Sequence, residues 1–287
     1  MTVCLGVLAR VPCRIEEVAR DDSGSVGDVN PESILTIFDE LVSDVAEALS
    51  ELEDWGHSGN RADQYNHDVV ADDMIVPRLL AEGFRVLTEE SGITEGQEAE
   101  PASDITIVVD PVDGSTNASR GLPWYAISLC AVDGDGPLVS HVANLAIGDR
   151  FRAIRGEGVE THRGEIRPSG CKDLGDAMLA FSGWPPEHGG WRQYRTYGAS
   201  ALDICAVASG VFDGFMDVNA GHGVWDYLGA GLVCAEVGIE LVDGDGQNPV
   251  VLDHTQRRAP LVAATPELQA QMIDMRQRWV DGTQNRS

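Results

Sequence analysis

Apolar residues recur along this chain with two periods, one typical of helices and one typical of strands. Helical spacing runs over residues 30–53, with asparagine as the cap and proline in the first turn. A second helix is predicted over residues 68–81, with a kink or a break at Pro77 because proline lacks the amide that a helix interior uses. A short strand over residues 84–88 follows. The chain is therefore predicted to begin with two helices that lead into a sheet.

The central part of the chain carries strand patterns. A β-branched run, Ile107–Val109, predicts a buried strand that Pro111 ends. Beyond residue 124, apolar alternation interrupted by turn residues predicts a mostly antiparallel meander. Its four predicted strands are Tyr125–Val132, Leu138–Ala146, Phe151–Ile154 and Gly158–Ile166.

After Pro168 the pattern changes to strands that alternate with helices. The predicted strands are Met178–Phe181, Phe212–Val218, Glu240–Val242 and Leu261–Ala264, and the predicted helices cover residues 199–208, 225–237 and 267–280. We expect an α+β fold with a large, mostly antiparallel sheet and a smaller C-terminal α/β unit. The predicted division is a flexible extension over residues 1–30, an α+β domain over 31–168 and a smaller domain over 169–287.

The net charge of the chain excludes some classes of binding partner. The chain has 47 acidic and 20 basic residues, a net charge of −27. This balance argues against nucleic acid or an anionic membrane as a partner, and a phosphate substrate would be repelled unless metal ions reversed the local sign. Lys172 is the only lysine, which fits either a GC-rich genome or a salt-adapted surface.

The cysteine pattern indicates a reducing compartment. Six cysteines are scattered without a C-x-x-C motif, which is typical of buried, reduced thiols. No apolar run reaches the roughly 18 residues of a membrane span, and no signal peptide is recognised. We expect a cytoplasmic protein.

Candidate chemistry is concentrated in residues 107–117. Asp110 and Asp113 follow the predicted strand, at the edge where α/β sheets usually bind ligands. The amides of Gly114, Ser115 and Thr116 would face the same space at a helix N-terminus that attracts anions. Hard carboxylate oxygens beside anion-binding amides indicate a divalent metal together with a phosphate group.

Two further acidic clusters share this context: Glu89-Glu90-Ser91-Gly92, and Trp225-Asp226 followed by small residues. Either cluster alone would more often be a solvated turn. In this order, the three clusters resemble the inositol monophosphatase family over about residues 31–280. The resemblance implies a layered αβαβα sandwich, a Mg²⁺-dependent and Li⁺-sensitive phosphomonoesterase, and a homodimer.

The resemblance also implies a set of metal ligands. Glu89, Asp110 and the carbonyl of Val112 would hold the first Mg²⁺, and Asp110, Asp113 and Asp226 would hold the second. A third, weaker ion would bind Glu89 and water. Mg²⁺ prefers such hard oxygen ligands and keeps several waters.

The remaining roles are implied in the same way. Ser115 would activate the attacking water together with an upstream acid, which maps best to Asp68, with Asp72 as the alternative register. Glu89 would support this chemistry through its metal, and the amides of Gly114 and Ser115 would bind the phosphate.

Substrate selection is expected from the C-terminal unit. Gly198, Ala199 and Ser200 resemble the loop that contacts the sugar or inositol ring. Asp217 lies where the family often has an acid that accepts hydrogen bonds from ring hydroxyls. His222 could touch substrate, although a histidine in a loop more often faces solvent.

The function implied is hydrolysis of a small phosphomonoester, such as an inositol-1-phosphate-like polyol or sugar phosphate, by in-line attack of a metal-activated water. Alternatives within the superfamily are a fructose-1,6-bisphosphatase, a 3′-nucleotide phosphatase or a histidinol-phosphate phosphatase. An alternative of another class is a metal-binding regulatory or interaction protein whose catalysis is incidental. The expected partner is a small phosphate ester, with neither nucleic acid nor membrane.

Overall fold

The computed structural model of the chain describes residues 30–94 and 104–284, so the predicted extension lies outside the described residues except for Asn30. The helices within these ranges are α1 (Pro31–Ser50), α2 (Asn66–Ala81), α3 (Ser115–Arg120), α4 (Ser200–Ala208), α5 (Leu228–Glu236) and α6 (Pro266–Gln284). The strands there are β1 (Arg85–Thr88), β2 (Gly92–Thr94), β3 (Thr106–Asp113), β4 (Ala126–Asp133), β5 (Gly136–Asn144), β6 (Arg150–Ile154), β7 (Gly158–Thr161), β8 (Met178–Ser182), β9 (Gln193–Arg195), β10 (Gly214–Asp217), β11 (Val242–Asp243) and β12 (Pro260–Ala263).

The strands form two sheets. The first has seven strands in the order β2-β1-β3-β4-β5-β6-β7, and only β1 and β3 within it are parallel. The second has the order β11-β12-β10-β8-β9, with β8 parallel to both of its neighbours. The predicted antiparallel meander is confirmed as β4 to β7.

Helices cover both sheets because apolar side chains alternate between the sheet faces. In β3, Ile107 and Val109 pack in the core that α1 and α2 share with the first sheet. Val108 points the other way, into a core built with α4, α5 and one face of the second sheet. The other face of the second sheet packs against α6. This order of layers is αβαβα, and the predicted fold class is confirmed.

Helix α2 continues through Pro77, so a break there was the wrong expectation. Pro77 and Asp73 both lie on the exposed side of the helix. Because Pro77 has no amide hydrogen, the carbonyl of Asp73 lacks its usual helical partner. Water can bond that carbonyl, while Ile75 and Leu79 hold the opposite side of the helix in the core.

Strand β3 also continues past its proline. Asp110 pairs with Ser128 and Asp113 pairs with Ala126, so Pro111 and Val112 together stand opposite one residue of β4. This is a β-bulge, in which the extra residue leaves the hydrogen-bond ladder. The bulge accommodates the missing amide of Pro111, which is why the predicted strand end at this residue was wrong.

Of the four cysteines within the described residues, three are buried as predicted, whereas Cys171 is only half-buried; Cys4 and Cys13 lie outside the described residues. Cys130, Cys205 and Cys234 are free and buried, and burial raises the pKa of each thiol. Along the described part of the chain, no helix is both long and apolar enough to cross a bilayer.

Candidate active site

The bulge in β3 sets the direction of its two aspartates. Residues three apart in a regular strand point to opposite faces. Because the bulge adds one residue, Asp113 points to the same face of the sheet as Asp110. Both aspartates point towards the layer that contains α4 and α5, while Val112 packs in the core with α1 and α2. The local conformation at Pro111 therefore creates a pair of carboxylates that regular strand geometry would separate.

Three carboxylates from distant parts of the chain meet beside this bulge. Glu89, Asp110 and Asp226 each offer an oxygen, and these atoms all lie within 4.8 Å of one another. Glu89 follows β1, which runs parallel to β3, and its amide donates to the carbonyl of Val109 at 3.2 Å. Asp226 ends the 3₁₀ turn Val224–Asp226 and accepts a hydrogen bond from the Gly223 amide at 2.8 Å.

The cluster is electrostatically unfavourable by itself. Burial raises the pKa of Glu89 and of Asp110 well above their ordinary values, and repulsion from the neighbouring carboxylates raises both further. Burial also raises the pKa of Asp226. Buried carboxylates that repel one another become stable when a cation lies between them, and oxygen-only ligands suit a hard divalent ion such as Mg²⁺. The residues present fit the implied metal.

Asp113 lies next to this cluster and is held by helix α4. Its two carboxylate oxygens accept hydrogen bonds from the amides of Ser200 at 3.1 Å and Ala201 at 2.7 Å. These amides belong to the first turn of the helix, where the helix dipole favours a negative charge. Burial and the charge of Asp226 nevertheless raise the pKa of Asp113 to about 7.

Ser115 and Asp68 form a hydrogen-bonded pair. The Ser115 hydroxyl donates to Oδ1 of Asp68 at 2.7 Å and lies 2.8 Å from the carbonyl oxygen of Val112. The other oxygen of Asp68 accepts from the Tyr65 amide at 2.8 Å, and burial raises the pKa of Asp68. Asp72 bonds elsewhere, to the hydroxyls of Thr88 and Ser91. Of the two candidate acids, Asp68 is the one that contacts Ser115.

A buried histidine that the sequence did not single out lies beside this pair. The ring of His67 has its Nε2 3.5 Å from Oδ1 of Asp68, and burial lowers its pKa to about 4. His67 is therefore neutral at pH 7 and adds no charge to the pair. A histidine adjacent to a candidate acid was the only available sequence signal.

Gly114 makes the sharp turn between β3 and α3. Its φ of +88° is left-handed, and a Cβ there would lie 3.0 Å from the Cβ of Ala199 and 3.1 Å from the carbonyl oxygens of Gly198 and Trp124. Only glycine fits both the conformation and the space. The close approach brings the loop before α4 against the first turn of α3, so Gly198 and Ala199 lie beside the predicted phosphate amides.

Ser200 and Asp217 meet through His222. Oγ of Ser200 lies 2.6 Å from Nε2 of His222, whose Nδ1 lies 3.0 Å from Oδ2 of Asp217. Asp217 also accepts hydrogen bonds from the amides of Asn219 at 2.9 Å and Gly221 at 2.8 Å. The His222 side chain is 12% exposed, so it does not face solvent as a loop histidine usually does. Interaction with Asp217 and with nearby carboxylates outweighs burial and raises its pKa to about 9.

A polar loop near residue 255 completes the surroundings of the carboxylate cluster. Nε2 of His254 lies 3.0 Å from the carbonyl oxygen of Glu89, and its ring stacks on Trp225 with centroids 4.9 Å apart. The guanidinium of Arg257 lies 5.2 Å from the centre of a Trp225 ring. Sequence reasoning missed both residues, because no local motif connects this loop with Glu89.

The chain is similar to known proteins of one family. A model of the inositol monophosphatase family matches residues 32–280. The chain is 29% identical over 255 residues to a fructose-1,6-bisphosphatase/inositol-1-monophosphatase from Archaeoglobus fulgidus, covering 84% of this chain and 97% of the relative. It is 30% identical over 204 residues to the Nus factor SuhB of Pasteurella multocida, covering 66% of this chain and 72% of the relative.

The fold is also similar to solved structures. A hypothetical protein from Pyrococcus horikoshii, described as having similarities to inositol-1 monophosphatase, superposes with a TM-score of 0.77 at 21% identity. The match covers 86% of this chain and 99% of that protein. At this level of identity the likeness concerns the fold.

Proposed function

The chain belongs to the inositol monophosphatase family, and from this premise we propose that it hydrolyses small phosphomonoesters in a reaction that depends on Mg²⁺. The observation that carries the proposal is the convergence of Glu89, Asp110 and Asp226 within 4.8 Å. Such a cluster next to a paired hydroxyl and carboxylate suits phosphoryl transfer to water better than binding alone. Cytoplasmic location, a homodimer and the absence of nucleic acid stay predictions.

We assign the metal to the carboxylates of the site. Glu89, Asp110 and the Val112 carbonyl would hold one ion, and Asp110, Asp113 and Asp226 would hold a second. Bound there, Mg²⁺ would polarise the phosphoryl oxygens and lower the pKa of a water molecule. The carboxylates would in turn all hold their negative charge at neutral pH only with a cation that offsets their repulsion.

Ser115 and Asp68 are the proposed proton-handling pair. The hydroxyl donates to Asp68 at 2.7 Å, which directs the lone pairs of Ser115 away from that carboxylate. A water molecule in the site can donate to those lone pairs and is oriented towards the phosphorus. The proton can then pass through Ser115 to Asp68, whose burial raises its pKa and makes it a better acceptor.

The rest of the site would bind the ester. The amides at the Gly114–Ser115 turn would hold the phosphate. The loop over Gly198–Ser200 would contact the alcohol portion, because this loop lies so near the turn that a Cβ on Gly114 would be 3.0 Å from the Cβ of Ala199. Inositol-1-phosphate-like polyol or sugar phosphates rank first, ahead of fructose 1,6-bisphosphate, 3′-nucleotides and histidinol phosphate.

A panel of these esters tests the proposal. Purified protein would be incubated with each ester and Mg²⁺, and the release of inorganic phosphate would be measured with and without EDTA. We expect Mg²⁺-dependent release from at least one polyol phosphate. Absence of release from every ester at several Mg²⁺ concentrations would refute the enzymatic proposal.

A second candidate is a regulatory or interaction role, which the similarity to proteins named Nus factor SuhB favours. The discriminating variant is Asp110→Asn, which removes a central carboxylate and keeps the size of the side chain. Loss of function in cells would support the catalytic role. A normal phenotype from a variant that is inactive in the phosphate assay would support the interaction role.

A further inference from the structure

His67 belongs to a chain of contacting rings that lies next to the Asp68 carboxylate. The centroid of its ring is 5.2 Å from that of Tyr65, at an interplanar angle of 18°, and 5.1 Å from that of Trp55. The exposed end of this chain of rings is His57, which stacks on Tyr65 at 4.3 Å. The His67 side chain itself is fully buried. Its neighbours therefore fix the orientation of the imidazole.

The edge of this imidazole faces Asp68 without bonding to it. Nε2 of His67 lies 3.5 Å from Oδ1 of Asp68, which is longer than a normal hydrogen bond. Among the described residues, neither ring nitrogen of His67 makes a hydrogen bond of normal geometry. Buried polar atoms are nearly always paired, because an unpaired one is destabilising. Phenylalanine would fill the same space without that cost, so packing alone does not account for a histidine here.

Asp68 has no hydrogen to offer His67 until the reaction begins. Its Oδ1 accepts the Ser115 hydroxyl at 2.7 Å, and its Oδ2 accepts the Tyr65 amide at 2.8 Å. In the proposed reaction, a proton of the attacking water moves to Oγ of Ser115, and the Ser115 proton moves to Oδ1 of Asp68. The hydrogen on Oδ1 can then turn from Ser115 towards His67. An approach of about 0.5 Å would bring Nε2 within hydrogen-bond distance of Oδ1.

We propose that His67 is a positioning residue for the Ser115–Asp68 pair, and that its Nε2 accepts a hydrogen bond from Asp68 once Asp68 has taken the proton. The imidazole keeps its own hydrogen on Nδ1 and gains no proton in the reaction. This role rests on the phosphatase function proposed above and adds one residue to it. Because the hydrogen bond forms only as the proton is transferred, it favours that step over the resting state.

The charge state of His67 agrees with this role. Burial lowers its pKa to about 4, although the backbone of Ser115 acts in the opposite direction. A neutral imidazole has one nitrogen that accepts a hydrogen bond, whereas an imidazolium has none. Burial also raises the pKa of Asp68, which favours the neutral carboxyl that His67 would bond. The other charged groups around Asp68 are Arg61, Asp63, Glu89, Glu90 and Asp110.

Two replacements of His67 separate hydrogen bonding from packing. His67→Phe keeps an aromatic ring against Tyr65 and Trp55 and removes the accepting nitrogen. His67→Gln loses the ring and keeps an acceptor near the position of Nε2. With Mg²⁺ and the ester that the wild type hydrolyses fastest, we expect kcat of His67→Phe to fall about 3- to 10-fold with little change in KM, the loss typical of one hydrogen bond. His67→Gln should keep more of kcat than His67→Phe, although its thermal unfolding temperature is lower.

The pH profile of kcat distinguishes an acceptor from a donor at Nε2. An acceptor favours the protonated carboxyl and raises the pKa of Asp68, so its loss in His67→Phe should move the acid limb of the profile about 1 unit lower. This shift should be absent when His67→Phe is combined with Asp68→Asn, where no carboxyl remains at this position to titrate. His57→Phe is the matched control at the exposed end of the same chain of rings, and it should keep the wild-type profile.

The outcomes separate this role from the phosphatase function. In ¹⁵N NMR spectra of the Mg²⁺-loaded wild type, the ring signals that either His67 variant lacks should show hydrogen on Nδ1 and none on Nε2. Hydrogen on Nε2 would refute the role of His67 and leave the phosphatase intact. An acid limb that stays in place or moves to higher pH in His67→Phe, or a shift that persists with Asp68→Asn, would do the same. Failure of the wild type to release phosphate from any ester would refute the phosphatase and, with it, this inference.

Discussion

Replacement of Asp110 by asparagine should stabilise the metal-free protein. The carboxylate of Asp110 is buried and lies close to those of Glu89 and Asp226, so the three charges repel one another in the absence of a cation. Asparagine has nearly the same shape, and its Oδ1 can still accept the hydrogen bond that the Val112 amide donates at 3.1 Å. The substitution therefore removes charge with little change in packing.

The size of the effect follows from the separation of the charges. Two unit charges at the 4.8 Å limit of this cluster repel by about 3.5 kcal/mol at an effective dielectric constant of about 20. The substitution removes two of the three repelling pairs of charges, those between Asp110 and each of the other two carboxylates. However, protonation of one carboxyl relieves the same repulsion at a cost of about 4 kcal/mol at pH 7, which limits the gain. We expect the free energy of unfolding to rise by about 2 to 4 kcal/mol.

The pH dependence of stability gives independent evidence that Asp110→Asn stabilises the metal-free protein. Burial and repulsion raise the pKa of Asp110 in the folded protein above its unfolded value. The folded wild type therefore binds more protons than the unfolded chain, and its stability falls as pH rises. The advantage of Asp110→Asn should be absent below about pH 4, near the unfolded pKa, and should grow as pH rises through the folded pKa.

Urea unfolding in EDTA at several pH values measures this effect, and repetition with Mg²⁺ measures metal binding. At a Mg²⁺ concentration 100 times the Kd, the wild type should gain about 2.7 kcal/mol and the variant much less. Asp44→Asn, on the exposed side of α1, is the control for loss of one negative charge. A destabilised Asp110→Asn in EDTA, or equal stabilisation of both proteins by Mg²⁺, would refute the reasoning.

Four further predictions concern the Ser115–Asp68 pair, two backbone positions and inhibition. Ser115→Ala and Asp68→Asn should each lower kcat about 100-fold with a smaller change in KM, and the double variant should be little worse than either, in steady-state phosphate release. Gly114→Ala should lower the free energy of unfolding by about 1 to 3 kcal/mol, because alanine is strained at left-handed φ and meets Ala199. Pro77→Ala should raise it by about 1 kcal/mol without changing kcat/KM, since alanine restores a helical hydrogen bond. Family resemblance predicts that millimolar Li⁺ inhibits Mg²⁺-dependent turnover.

Each of these predictions has a control. Ser119→Ala, whose hydroxyl bonds only the Thr116 carbonyl, should keep wild-type kcat, and full additivity of Ser115→Ala with Asp68→Asn would contradict a shared role. Gly121→Ala has a left-handed φ but no neighbour within 4 Å, so it isolates backbone strain. A less stable Pro77→Ala would show that the proline is preferred at its position. Na⁺ at equal ionic strength is the control for Li⁺, and equal effects of the two ions would contradict a specific site.

The elements predicted from periodicity were those whose residues pack on a core. The strands β4 to β7 and the helices α1 and α4 were recognised because their apolar positions repeat along the chain. Strands β2 and β9 were missed. Each has three residues at the edge of a sheet, and each exists because a neighbouring strand offers a hydrogen-bonding edge. Local sequence carries little signal for such strands.

The chemical types in the site were also readable from sequence. Acidic residues beside small residues at strand ends indicated a metal and a phosphate before any contact was known. The contacts of Asp217 were not readable: its oxygens accept hydrogen bonds from two amides and face His222, and its contact with substrate hydroxyls stays a prediction. Which partner a buried carboxylate meets depends on how its loop closes, and loop closure is decided by distant residues.

The sequence by itself determined most of the long helices and central strands, the apolar residues that form the cores, and the presence of hard carboxylate oxygens at the ends of strands. These properties follow from local periodicity and side-chain chemistry. Tertiary structure decided the rest: the bulge at Pro111 that turns Asp113 to the face of Asp110, the bond from His254 to the Glu89 carbonyl, and the contact of Ser200 with His222. Each of these contacts joins segments far apart in the chain or depends on strand register, so its geometry exists only once the sheets have paired and the layers have packed.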